Sequence, residues 1–139
     1  MADLFAKVQQ FLDIDDWPTT AIIPGEQLNT HFAGDGGLYE GVLRIDNLQG
    51  ALVFALSAPK LVPPHKRELA VHILNILNWN MALGCFDMEY DTGQIRYRVG
   101  LVLGDHPLTF GLLKPVLYTP IMTMDQYWPE IALRLDMLE

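Results

Sequence analysis

The chain has 139 residues, half of them hydrophobic, and carries 17 acids against nine bases for a net charge of −8. That length suits one core, able to bury roughly two-thirds of the unfolded surface without a disulfide or a metal, so a single domain over residues 1–139 is expected. The acidic field repels a phosphate backbone and His65-Lys66-Arg67 is the longest basic run, which disfavours nucleic acid as a partner.

Apolar runs are interrupted by Asn, Gly or Pro within a few residues, so no membrane-spanning segment is expected. The opening M-A-D-L-F-A-K lacks the pattern of a secretory signal, and the single Cys85 has no partner for an internal disulfide. Both features point to a cytoplasmic protein in which Cys85 serves as a small buried hydrophobe.

Residues 2–12 place Leu4, Phe5, Val8, Phe11 and Leu12 on one helical stripe. The helix is expected to end in Asp13–Pro18, since the residue before a proline is pushed out of the helical region. The next element is a strand over Gln27–Ala33, followed by a turn at Gly34-Asp35-Gly36-Gly37. A strand over Leu38–Asp46 sets Tyr39, Gly41, Leu43 and Ile45 on one face, and after the turn Asn47–Gly50 comes a nearly all-apolar strand, Ala51–Leu56.

Pro63-Pro64 opens the strongest helix, proline being tolerated where the backbone N–H would be unpaired anyway. Leu69, Ala70, Ile73, Leu74, Ile76 and Leu77 are expected on its covered side, opposite Glu68, His72, Asn75 and Asn78. Trp79 falls on the polar side. Such an aromatic is either an interface anchor for a partner or a second copy, or a residue packed beneath a loop. Gly84 is the first stop signal after this helix. Two strands, Cys85–Tyr90 and Ile95–Leu103, precede a helical segment, Phe110–Leu138, with Thr109 as its N-cap. Pro115, Pro120 and Pro129 predict kinks or two to three pieces in that segment. The order α-β-β-β-α-β-β-α describes an α+β domain with a five-stranded, largely antiparallel sheet.

Asp91-Thr92-Gly93 matches the aspartic-protease triplet, and a chain of this size could act as half of a dimeric protease. The flanks favour a hairpin. Pairing Tyr90 with Ile95, Met88 with Tyr97 and Phe86 with Val99 collects apolar side chains on one face. The same register sets Glu89 against Arg96 and Asp87 against Arg98 on the other. Asp91–Gln94 is then a four-residue loop in which Gly93 takes any strained dihedral and Asp91 bonds its own turn backbone. Catalysis by Asp91 would need a second carboxylate in a shared cleft, which a homodimer could supply, but Met88-Glu89-Tyr90 before the triplet and Gln94 after it do not match the apolar strand and small residue such a site has.

No other motif carries chemistry. His31, His65, His72 and His106 are scattered, and His65 and His72 lie about 10 Å apart by helical rise, too far for one metal without further ligands. Ser57 lacks a nucleophile elbow. The glycines at 34–37 are followed by neither a helix signal nor a lysine, so they form a turn rather than a phosphate cradle. Asp13, Asp15 and Asp16 superficially resemble a calcium loop but run into Trp17-Pro18. No cofactor, metal or catalytic residue is assigned.

The run from Pro63 to Leu103 resembles the YbjN-domain family. The features that carry this are the L-N-I-L-N helix, G-C-F-D-M-E-Y and D-T-G-Q-I-R-Y-R-V, together with Asp125-Gln126-Tyr127-Trp128-Pro129. The resemblance covers most of the chain, although the first 40 residues contribute little. It implies the α+β fold of type III secretion chaperones, which are small, acidic, non-catalytic and usually homodimeric, and which hold extended client segments on apolar patches. Members are labelled sensory-transduction regulators, and the resemblance brings no catalytic residue. The expectation is therefore a non-enzymatic, homodimeric protein-binding module with a protein client. A small-molecule sensor with a ligand between sheet and C-terminal helices is the alternative, and a dimeric aspartic protease through Asp91 a remote one.

Overall fold

The computed structural model describes residues 3–137; Ala2 of the first expected helix and Leu138 of the last lie outside them. Helix α1 spans Leu4–Ile14, buries Leu4, Phe5, Val8 and Leu12, and is capped by Asp3, whose carboxylate accepts from the Ala6 N–H at 3.4 Å. Four strands follow: β1 (Thr19–Ile23), β2 (Gln27–Gly34), β3 (Gly37–Asp46) and β4 (Ala51–Ser57). A 3₁₀ turn at Pro64–Lys66 leads into α2 (Arg67–Trp79), then β5 (Cys85–Glu89), β6 (Gln94–Val102) and α3 (Phe110–Arg134).

The strands form one antiparallel sheet in the order β1-β2-β3-β4-β6-β5. It has six strands, not five. The extra strand, β1, escapes a search for alternation because it is an edge strand with four of its five residues exposed and a bulge between Ala21 and Ile23. Its signal is compositional: Thr19, Thr20, Ile22 and Ile23 are β-branched. The Thr30 hydroxyl donates to the Pro18 carbonyl at 2.5 Å and so fixes where β1 begins.

One face of the sheet carries the core. Leu28, Tyr39, Leu43, Phe54, Leu56, Ile95 and Tyr97 point to it and are buried against α1 and α3. Helix α3 is one continuous 25-residue helix despite its three prolines, rather than two or three pieces. An interior proline costs about 3 kcal/mol. Seven large side chains of α3 (Leu113, Val116, Leu117, Ile121, Met124, Trp128, Ile131) are buried, at about 1.5–3 kcal/mol each. Tertiary packing outweighs the local penalty. Thr109 caps the helix as expected, accepting from the Leu112 N–H at 3.3 Å.

The β5–β6 hairpin has the expected faces but a register shifted by two residues. Phe86 pairs with Tyr97, Asp87 with Arg96, Met88 with Ile95 and Glu89 with Gln94. A shift of two conserves the side of every residue, so the apolar face survives while the partners change. Gly93 decides the matter. It sits at φ +80 and its N–H donates to the Glu89 carbonyl at 2.8 Å, so the loop is Tyr90–Gly93. Placing glycine last in the loop puts the one residue tolerant of positive φ where the chain must turn back. Asp87 then serves both arginines, with Arg96 Nε at 2.6 Å and Arg98 Nε at 3.0 Å, and the Glu89–Arg96 pair does not form. The bond from Asp87 raises the Arg96 guanidinium pKa.

Candidate protein-binding surfaces

The hairpin tip is a docked turn. Arg67 at the start of α2 donates from Nη1 to the carbonyls of Tyr90 (3.0 Å) and Asp91 (2.8 Å), and from Nε to that of Val62 (2.9 Å). The Val62 N–H donates to the Gly93 carbonyl at 2.9 Å. A side chain at position 93 would run into the Val62 carbonyl oxygen, which is a second reason for glycine here. Asp91 is exposed on this loop. The turn's side-chain bond comes from Thr92, whose hydroxyl accepts from the Gln94 N–H at 3.2 Å, rather than from Asp91.

The two edges of the sheet are treated differently. Along β5, Asn78 of α2 mimics a neighbouring strand: its Nδ2 donates to the Phe86 carbonyl and its Oδ1 accepts from the Phe86 N–H, both at 2.8 Å. That closes the edge at Phe86. Along β1 four of the five residues are exposed, with Ile22 and Ile23 about half so. An open edge offers backbone donors and acceptors to another extended chain.

Behind that edge, the face of the sheet away from the helices carries the row Ile23, Gln27, Arg44, Val53, Gly100 across five strands. A concavity of about 800 Å³ opens there, lined by Ile23, Leu48, Ala51 and Val53 together with the polar Glu26, Gln27, Arg44 and Asp46. Leu48 is 93% exposed and Val102 78%. Arg44 has no carboxylate within ion-pair distance among the described residues.

The second uncovered apolar surface is on α2. Ala70, Ile73 and Leu74 are buried. Leu69 and Ile76, expected on the covered side, are instead half exposed, and Trp79 is 88% exposed. The wheel predicted too broad an inner face: α2 lies along the β5 edge and buries only the narrow strip that touches it. Trp79 is not packed beneath a loop.

Other polar residues singled out in the sequence hold the fold together. Asp15 accepts from Trp17 Nε1 at 2.9 Å and from the Tyr118 hydroxyl at 2.5 Å, joining the end of α1 to α3. The Tyr118 bond first, then that of Trp17, lowers the Asp15 pKa. Asp125 accepts from the Tyr39 hydroxyl and from the Gly36 N–H, clasping the β2–β3 turn to α3. Burial first, then Asp125, raises the Tyr39 pKa. Trp128 is buried and Tyr127 stacks edge-on against Phe86 at 6.2 Å, so the 125–129 motif is a packing clasp. Cys85 is half buried on β5 opposite Arg98. His65 lies in the 3₁₀ turn before α2 and His72 on the open side of α2, so the two do not share one helix; Glu68 and Asn75 are beside them. Among the described residues no three His, Cys, Asp or Glu side chains gather as a metal site. No described helix is long and apolar enough to cross a membrane.

The model of the YbjN family, described as "putative bacterial sensory transduction regulator", matches residues 5–133. The chain belongs to the YbjN family. Two solved structures share the fold of this YbjN domain. One is YbjN of E. coli, described as "a putative transcription regulator": 13% identity, TM-score 0.64, covering 88% of this chain and 86% of that one. The other is a chain of the HopA1–SchA chaperone–effector complex: 17% identity, TM-score 0.54, covering 92% of this chain and 95% of that one. The resemblance to a secretion-chaperone fold read from the sequence is therefore found in the structure as well. No curated protein sequence matches this YbjN domain significantly.

Proposed function

We propose that this YbjN domain is a non-catalytic, cytoplasmic protein-binding module that acts as a homodimer and holds an extended segment of a client protein. The observation that carries the reading is the asymmetry of the sheet: one edge sealed by Asn78, the other left open beside an apolar groove. An extended segment added to β1 would gain main-chain hydrogen bonds along the edge, and alternate side chains would reach the near end of the groove at Ile23 and Gln27. Glu26 and Asp46 against the single Arg44 in the groove, within a chain of net charge −8, favour a client with basic residues between apolar ones. The fold shared with a chain of a chaperone–effector complex supports the same reading.

Peptides selected against the protein from a random library test this directly. The reading expects alternating apolar and basic sequences whose binding is lost in Ile23→Asp and retained in Trp79→Ala. Selected peptides that bind both variants equally would contradict it.

A further inference from the structure

The groove on the face of the sheet away from the helices brings together a cation, a carboxylate and an apolar floor. Arg44 stands midway along the row Ile23, Gln27, Arg44, Val53, Gly100. It is exposed, lines the groove and has no carboxylate within ion-pair distance among the described residues. An unpaired guanidinium presents a donor fork that fits a carboxylate. Asp46 lies two residues further along β3 on the same face, about 7 Å away by strand rise, and lines the same groove. Its Oδ1 accepts from the N–H groups of Leu48 (3.0 Å) and Gln49 (3.1 Å), which fixes the side chain against its own turn. Its second oxygen, Oδ2, accepts no hydrogen bond among the described residues. That oxygen is an acceptor held in place for a cation.

Beside these charges the floor is apolar and shallow. Ala51 and Val53 of β4 form it, with the exposed Leu48 next to them. Gly100 of β6 pairs with Val53 and is exposed. Its φ is not positive, and a Cβ there would meet only ordinary contacts at 3.7 Å, from the Leu52 carbonyl and the Val53 side chain. Neither the backbone nor the packing of this chain requires glycine at that position. Glycine within a strand weakens it, and such a residue marks a place where a ligand or another backbone comes close.

We infer that the groove binds a free α-amino acid with an apolar side chain: its carboxylate on Arg44, its ammonium on Asp46 Oδ2, and its side chain over Val53 toward Gly100. One carbon carries both charges of such a ligand, so the two can be met by two neighbouring side chains of one strand. A peptide separates the same charges by its own length. A ligand of zero net charge also approaches a chain of net charge −8 without the repulsion an anion meets. Glu26, lining the same groove, works further against an acidic side chain on the ligand. The assignment is independent of the client site, since a strand added at β1 reaches only Ile23 and Gln27 at the near end.

Isothermal titration calorimetry of the full chain with millimolar leucine, phenylalanine, glycine, aspartate and lysine tests the inference, and amide NMR locates the site. Leucine and phenylalanine should bind about tenfold or more tightly than the other three and shift the amides of Val53 and Gly100. Leucinamide lacks the carboxylate and N-acetyl-leucine lacks the ammonium; each should bind about tenfold or more weakly than leucine. Two variants match each ligand charge to its partner. Arg44→Gln should weaken leucine to the level of leucinamide and leave leucinamide unchanged. Asp46→Asn keeps an oxygen for the Leu48 and Gln49 N–H groups, and should bring leucine down to the level of N-acetyl-leucine. Both side chains are exposed, so folding should persist, with circular dichroism as the check. Arg44→Gln should still capture the peptides selected for the client site, so the two readings fail separately. Wild type that binds none of the apolar amino acids, or leucine binding indifferent to Arg44→Gln, would overturn the site. Leucinamide or N-acetyl-leucine binding wild type as tightly as leucine would overturn the amino-acid assignment.

Discussion

The β5 and β1 edges of this sheet end in opposite ways. At β5 an asparagine from α2 takes both backbone groups of Phe86, Arg67 holds the adjoining hairpin tip, and Asp87 gathers two arginines. At β1 the strand is short, bulged and exposed, with isoleucines beside a groove. Sealing an edge removes a template for unwanted pairing. Sealing only one leaves the other as the place where an extended partner can join.

Asn78→Ala is expected to break the comparison most severely. Both backbone groups of Phe86 would lose their partners at about 1–3 kcal/mol per unsatisfied group, and urea denaturation should show a loss of about 2–4 kcal/mol. The bared edge should also make the variant aggregate with concentration. Tyr39→Phe comes next, at about 1.5–3 kcal/mol for a bond to a charged acceptor. It also has a pH signature. The Tyr39 pKa is raised by folding, so its contribution is complete below the unfolded tyrosine value of about 10 and is lost as pH rises through the folded value. Wild type should therefore lose more stability than Tyr39→Phe between pH 9 and 12.

Asp87→Ala removes two half-exposed ion pairs and should cost about 0.2–1 kcal/mol for each, shrinking in high salt. Ile23→Asp should change stability by no more than about 0.5 kcal/mol while abolishing capture of an extended peptide. On the proposed function the sealed edge carries stability and the open edge binding, so a large stability loss on altering Ile23 would erase the distinction.

How much of this was legible beforehand follows the range of the interactions. The alternation in β3 and in the hairpin is local, and it separated the two faces of both. The hairpin's partners were displaced by two residues because apolar pairing tolerates any even shift; the arbiter is Gly93, whose turn position depends on docking against Val62 and Arg67. Strand β1 has β-branched residues but no buried face to impose a period. Asp125 is bound to a tyrosine 86 residues away, and only the folded chain reveals that partner. Trp79 stood out as an aromatic in a polar setting. Its meaning changed when Leu69 and Ile76 beside it proved exposed, turning one odd residue into a stripe.

Amide hydrogen exchange tests the central claim most directly. In the free protein the Phe86 amide, bonded to Asn78, should exchange far more slowly than the outward-facing amides of Thr19–Ile23. Adding a selected extended peptide should slow those β1 amides and leave Phe86 and the α2 stripe unchanged. Protection that appears on α2 or at the hairpin tip, with β1 still exchanging freely, would contradict the account.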